Sequence, residues 1–329
     1  MERRIVISTN ILLVAAIFSV SCLLTFTGLK TFEPWSQVTI MWDSGWPILH
    51  FIDHFHFERY LAAYFGLMLE NIYPGTGFSI YIALFVALNT LLFRQVHTAF
   101  TGYPPSLFAY VIFLMTHLAM NGRGAIGWSG WLLCLDLYGR FSDPERAGPF
   151  MTVRNSCQLF FSVLFASVSS GVFVVVFISS ALLIIRVLHA SVRTPRLSLS
   201  RIFSIIFATA VIGYGIYRAI IYLLAVILKI LLFFGSYSAV IVHGIGLIAK
   251  QYDISIMLLS GVIIVTVFII LWTFLRGRIT PVLWPLLIIA MIGGAFGFTT
   301  LTLNIPLLLI FFSVLIRLTL STLSPQPQT

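Results

Sequence analysis

Long apolar stretches separated by short polar connectors follow one another along almost the whole chain. An apolar run of about 20 residues is the length that a helix needs to cross the hydrocarbon core of a bilayer. A transmembrane β-barrel would instead show alternating segments of about ten residues. The pattern predicts an all-α fold, a polytopic helical membrane protein with about ten spans. The predicted spans lie near 5–29, 77–93, 105–121, 124–139, 157–168, 171–188, 202–218, 254–275, 280–298 and 303–320.

The positive residues divide the connectors between these spans into two sides. Most of the arginines, including the cluster at 193–201, fall on the side that also holds both ends of the chain. Cytoplasmic loops carry the excess of Lys and Arg in membrane proteins, so this side is expected to be cytoplasmic. The opposite, extracytoplasmic side has few cations. They are Lys30, Arg59, Arg123, Arg218 and Lys250.

Two apolar segments do not fit a simple count of spans. Residues 157–188 look like one long span, yet Arg154 and the 193–201 cluster must lie on the same side of the membrane. The chain must therefore cross twice and turn at Ser167–Gly171 (SVSSG). The two arms are then short for a bilayer, which predicts a re-entrant hairpin here or in the neighbouring 105–139 pair, and a cavity open to the outside.

The second irregular segment, 219–250, is apolar but interrupted by Lys229, Gly235 and His243. We expect an interfacial or re-entrant helix here, with a further pair of spans, twelve in all, as the alternative. The whole chain, 1–329, is then a single integral membrane domain. Its extracytoplasmic loop and helix occupy 30–75.

Composition narrows the class of protein further. The chain is 60% hydrophobic and only 9% charged, with a mean hydropathy of +1.05. These values exclude a soluble globular domain and a disordered chain. The net charge of +9 is spread between the spans, where lipid topology explains it, and so does not indicate nucleic-acid binding. The three cysteines lie in apolar stretches without metal-ligand spacing.

The polar residues concentrate in one extracytoplasmic stretch, MWDSGWPILHFIDHFHFERY, at 41–60. Residues His50 to Glu70 are predicted to be helical, which would place His54 and Glu58 one turn apart. A histidine beside a carboxylate can act as a general base, so Asp43, His54 and Glu58 are the candidate catalytic residues. The alternatives are a metal site, which no named motif supports, and an interfacial helix with no chemistry.

Candidate substrate-binding residues surround this stretch. Arg123, in the turn Asn121-Gly-Arg-Gly124, is an extracytoplasmic arginine between glycines, where a guanidinium suits bidentate recognition of phosphate. Arg218 is a similar residue at a helix end, and Arg59 belongs to the polar stretch itself. Trp42 and Trp46 are interfacial aromatics that can also stack on sugar rings.

Several of these segments together resemble the polytopic polysaccharide polymerases of bacterial envelopes, the Wzy and EpsG-like group. The resemblance covers roughly residues 40–185. It rests on WDSGW, FERYLAAYFGLMLENI, NGRGAIGWSGWLL and SVSSGVFVVVF. It implies an inner-membrane, multi-pass enzyme whose outward-facing arginines, here Arg123 and then Arg218, hold a polyprenyl-pyrophosphate-linked glycan. The long outer loop of many such polymerases is missing here or reduced to 219–250.

The expected function is therefore polymerisation of lipid-linked oligosaccharide repeat units at the outer face of the bacterial inner membrane. No cofactor is expected, although a GT-C-like variant would use a divalent cation. The partners would be the lipid-linked glycan, membrane lipids and other envelope polysaccharide assembly proteins, and no nucleic acid. The alternatives are a transporter or flippase of an envelope lipid and a non-catalytic subunit of a membrane complex.

Overall fold

The computed structural model describes residues 2–54, 56–141, 152–192, 283–293 and 302–323. It also describes six single positions: Ile206, Gly213, Tyr217, Ile220, Ile221 and Leu224. Every regular element in these parts of the chain is helical, as the sequence pattern predicts. Apart from those single positions, the predicted spans at 202–218 and 254–275, the 193–201 cluster and the 219–250 segment lie outside the described residues.

The described helices follow the predicted spans closely. They are α1 (Glu2–Phe26), α2 (Ser36–Asp43), α3 (Phe57–Ile72), α4 (Gly77–Thr101), α5 (Leu107–Ala119), α6 (Gly122–Arg140), α7 (Val153–Ala166), α8 (Ser170–Val192), α9 (Leu283–Gly293) and α10 (Asn304–Leu323). A short 3-10 helix at Ile48–Phe51 precedes α3.

Helix α4 is the one described helix that is both long and apolar enough to cross a membrane by itself. Its 25 residues extend for about 37 Å, which exceeds the hydrocarbon core of about 30 Å. Shorter apolar stretches occur in α1, α5, α8 and α10. These features favour membrane association, while the number of spans and their orientation stay predictions.

The turn predicted in the 157–188 segment is confirmed as a break between two helices. Helix α7 ends at Ala166 and α8 begins at Ser170. The spacing of Asp136 and Arg140, at i and i+4 in an apolar segment, predicts a local ion pair. The structure confirms it, with Nη2 of Arg140 3.0 Å from Oδ2 of Asp136. Gln158 of α7 donates to the same carboxylate oxygen at 2.8 Å, so this pair also joins α6 to α7.

The predicted continuous helix from His50 to Glu70 is wrong, because α3 begins only at Phe57. The chain turns after the 3-10 helix, and the backbone N–H of His56 donates to Nδ1 of His54 at 3.1 Å. A side chain that binds a nearby backbone group in this way competes with helix formation. His54 therefore lies before the helix and Glu58 lies within its first turn, so the two do not share a helix face.

The parallel helices α4 and α6 form the centre of the described fold. The side chain of Asn89 in α4 joins the two helices by hydrogen bonds. Its amide nitrogen donates to the carbonyl of Ala125 at 2.8 Å, and its amide oxygen accepts from the hydroxyl of Ser129 at 2.6 Å. A Cβ at Gly122 would lie 3.1 Å from Ile82. Helix α6 therefore starts beside Ile82, which lies roughly 8 Å from the first residue of α4.

Residues 30–75, here called the outer segment after their predicted position, pack against the start of α6. Its linker is tied to α4 because the backbone N–H of Phe32 donates to the hydroxyl of Ser79 at 2.7 Å. Helix α3 runs antiparallel to the first part of α4, with the hydroxyl of Tyr81 bonded to the carbonyl of Ala62. The carboxylate of Glu70 then accepts from the backbone N–H groups of Gly75 and Phe78, which caps α4. Apolar residues of α2, α3 and the first part of α4 thus form one cluster with Ala125 and Ile126 of α6.

Candidate functional site

Two arginines from different elements meet at the turn between α7 and α8. Nε of Arg59 donates to the carbonyl of Ser167 at 3.4 Å, and Nε of Arg123 donates to the carbonyl of Val168 at 3.3 Å. The two carbonyls are consecutive in the chain. The structure thus brings together two of the predicted substrate-binding residues, which are 64 positions apart in the sequence.

Helix α3 positions Arg59 because its buried face is set by close packing on α4. The buried residues recur at helical spacing: Arg59, Tyr60, Ala62, Ala63, Gly66 and Leu67. A Cβ at Gly66 would lie 2.5 Å from a ring carbon of Tyr81, so only glycine allows this approach. With α3 held this closely, Arg59 points inward and is only 5% exposed.

The start of α6 positions Arg123. Asn121 is the N-cap, and its side-chain oxygen accepts from the backbone N–H of Gly124 at 2.9 Å. Arg123 is half-buried in the first turn. The close approach of α7 to α6, where a Cβ at Gly130 would meet the backbone of Ser162 and Ala166, brings the turn carbonyls within its reach.

The surroundings of Arg59 disfavour the charged form of its guanidinium group. Burial, and then the positive charge of Arg123, lower the pKa of Arg59 to about 9, while Glu58 acts in the opposite direction. Two guanidinium groups close enough to repel each other make a place where an anion would be stabilised. The terminal nitrogens of a guanidinium form the fork that matches phosphate and carboxylate oxygens.

An aromatic residue that sequence reasoning did not assign to the site completes it. The guanidinium carbon of Arg123 lies over the ring of Trp35, 5.8 Å from its centroid. Trp35 precedes α2 and packs edge-on against Phe78 of α4, with centroids 5.8 Å apart. Nothing in the local sequence around Trp35 indicates this contact. The sequence predicts a turn at SVSSG, but it does not indicate that the carbonyls of this turn contact the two arginines.

The three candidate catalytic residues occupy different places near the pair. Glu58 is adjacent to Arg59 and half-buried, and its charge acts on that arginine. Asp43 is the last residue of α2 and is exposed. His54 is largely exposed, partial burial lowers its pKa, and its Nδ1 accepts from the backbone of His56. Glu58 is thus the candidate base whose charge acts on one arginine of the pair, Arg59.

The two tryptophans differ in their surroundings. Trp42 is half-buried and packs edge-on against Tyr64 of α3, with ring centroids 5.5 Å apart. Trp46 is 58% exposed and stacks on His50, with centroids 4.5 Å apart and planes 15° from parallel. Trp46 is therefore accessible to a sugar ring, while Trp42 helps to hold α2 on α3. Arg218 lies outside the described residues.

The acidic and histidine side chains of the site do not form a metal-binding cluster. In the part of the chain that the structure describes, no three side chains of His, Cys, Asp or Glu lie close enough together to hold a metal ion.

Comparison with known proteins provides no family for this chain. No family model matches it, and neither the curated proteins nor the solved structures contain a significant match. The function must therefore be argued from the arginine pair and its surroundings.

Proposed function

We propose that the protein is a multi-pass enzyme of the bacterial inner membrane that polymerises polyprenyl-pyrophosphate-linked glycan units at the outer face. The observation that carries this proposal is the pair of guanidinium groups, Arg59 and Arg123, on the consecutive carbonyls of Ser167 and Val168. Two close arginines suit a ligand that carries more than one negative charge, such as a pyrophosphate.

The surface of the outer segment supports a lipid-linked ligand over a soluble one. The side of α3 that faces away from α4 exposes apolar residues, Phe65, Met68 and Ile72. The 3-10 region adds Leu49 and Ile52, which are also exposed. A protein surface of this kind is stabilised by contact with lipid rather than water. A substrate whose chain stays in the bilayer can then place its pyrophosphate against the arginine pair.

The proposed chemistry is a glycosyl transfer in which a carboxylate is the base. Glu58 takes the proton of an acceptor hydroxyl, whose oxygen forms a bond to the anomeric carbon of the donor sugar. The bond from that carbon to the pyrophosphate oxygen breaks, and the lipid pyrophosphate leaves with the electron pair. Arg59 and Arg123 stabilise the negative charge that develops on it. Asp43 is the alternative base.

The test is to compare Arg59→Ala and Arg123→Ala with the wild type in cells that lack the native gene. We expect both variants to lose long polymer and to accumulate single lipid-linked repeat units on the outer face, measured by mass spectrometry and gel electrophoresis. Removing charge stabilisation of this kind costs roughly 10²–10³-fold in rate. Arg154→Ala is the matched control because Arg154 is exposed at the start of α7, away from the site.

Two results would overturn the proposal. Polymer of normal length in both alanine variants, at normal expression, would remove the role of the arginine pair. Single repeat units that accumulate on the inner face instead would indicate a flippase.

A further inference from the structure

Trp35 is fixed in place by ring contacts and not by hydrogen bonding. Its indole Nε1 is buried, and no described residue accepts a hydrogen bond from it. An unsatisfied buried N–H is unfavourable, so the position of the ring must be maintained by its other contacts. Those contacts are the edge-on packing with Phe78 and the guanidinium of Arg123 above the ring.

We propose that Trp35 is a positioning residue, which orients the guanidinium of Arg123 for binding of the anionic group. The inference rests on the proposed function, because it concerns the same site. The carbonyl of Val168 fixes Arg123 at Nε, and the face of Trp35 fixes the plane of the guanidinium. A bond at one nitrogen alone would let the group rotate, whereas the two contacts together determine where the terminal nitrogens lie.

The arrangement also explains why an aromatic residue should stand at position 35. The face of an aromatic ring attracts a cation, and tryptophan does so most strongly. The same contact offsets part of the repulsion that Arg123 experiences from Arg59. A residue of similar size without a π-system would fill the space beside Phe78 but would leave the guanidinium without its orienting surface.

The test uses purified protein in lipid nanodiscs with inorganic pyrophosphate as the probe, measured by isothermal titration calorimetry. Trp35→Leu should raise the dissociation constant by about 3- to 30-fold, the range expected for a partly buried cation–π contact. Trp35→Phe and Trp35→Tyr should restore most of the affinity because they keep an aromatic face. Phe108→Leu is the matched control, since it also replaces an aromatic residue by leucine and Phe108 is exposed at the start of α5.

A double-mutant cycle separates orientation of Arg123 from a general effect on folding. In the Arg123→Gln background, Trp35→Leu should change the dissociation constant by less than about twofold, because the group that it orients is gone. An equal loss in both backgrounds, or the absence of rescue by Phe and Tyr, would overturn the role of Trp35.

The same titrations distinguish this inference from the proposed function. Wild-type affinity in Arg123→Gln would contradict the anion site itself. A large loss in Arg123→Gln, together with no loss in Trp35→Leu, would leave the site in place and remove only the positioning role.

Discussion

At the scale of single residues, Arg59 carries a charge where the surroundings disfavour it. It is 5% exposed, and burial and Arg123 both act to lower its pKa. The nearby carboxylate of Glu58 offsets only part of this effect, since the pKa still falls to about 9. A strongly shifted pKa at a buried position is typical of functional sites, so Arg59 stays a candidate binding residue.

The first prediction at this scale concerns the pH dependence of activity. Nδ1 of His54 already accepts a hydrogen bond, so Nε2 carries the proton of the neutral ring and no lone pair is free for a base. We expect a carboxylate base, and activity should persist from pH 7 down to pH 5.5. A histidine base with an ordinary pKa of about 6.5 would lose roughly tenfold over that range. The measurement is the pH–rate profile of wild type and His54→Gln.

The lowered pKa of His54 also gives a stability effect of known sign. Because the folded protein binds a proton less readily than the unfolded chain, stability falls as the pH drops from about 6.5 through the lowered pKa of the folded state. His54→Gln should remove this part of the fall. A loss of activity near pH 6 in the wild type, together with a loss of about 10²–10⁴-fold at every pH in His54→Gln, would instead identify His54 as the base.

At the scale of elements, the contact of α3 with α4 decides where Arg59 lies. Gly66→Ala would force a methyl group against Tyr81 and Phe78, at 2.5 Å and 2.8 Å. We expect α3 to shift outward, with a loss of about 1–3 kcal/mol in the free energy of unfolding and weaker pyrophosphate binding. Thermal unfolding and calorimetry measure the two effects.

Gly127→Ala is the control for this prediction, because it adds the same methyl group to a helix where space exists. The nearest atoms to a Cβ there belong to Val172, at 3.5 Å, which is an ordinary contact. It should leave binding unchanged and should not lower stability, since alanine favours helix more than glycine does. Equal behaviour of the two variants would show that α3 tolerates displacement.

At the scale of the whole molecule, the prediction is the orientation of the helices. In a variant without Cys22, Cys134 and Cys157, a cysteine at position 54 should react with an impermeant maleimide in intact cells. A cysteine at position 154 should react only after the membrane is opened. The expectation follows from an odd number of crossings between the outer segment and the start of α7. Labelling of position 154 in intact cells would reverse the assigned orientation.

The sequence by itself determined the helical class, most helix bounds, the turn after α7 and the Asp136–Arg140 pair, because apolar periodicity, turn residues and i, i+4 spacing are local signals. It also marked Arg59 and Arg123 as candidates, from their place on the cation-poor side. Only the tertiary structure decided that these two arginines bind carbonyls of the same turn, between α7 and α8, and that the ring of Trp35 contacts Arg123. It also separated His54 from the helix of Glu58. The physical reason is that such contacts depend on how closely helices pack, at Gly66 and Gly130 for example, and close packing joins residues that no sequence spacing relates.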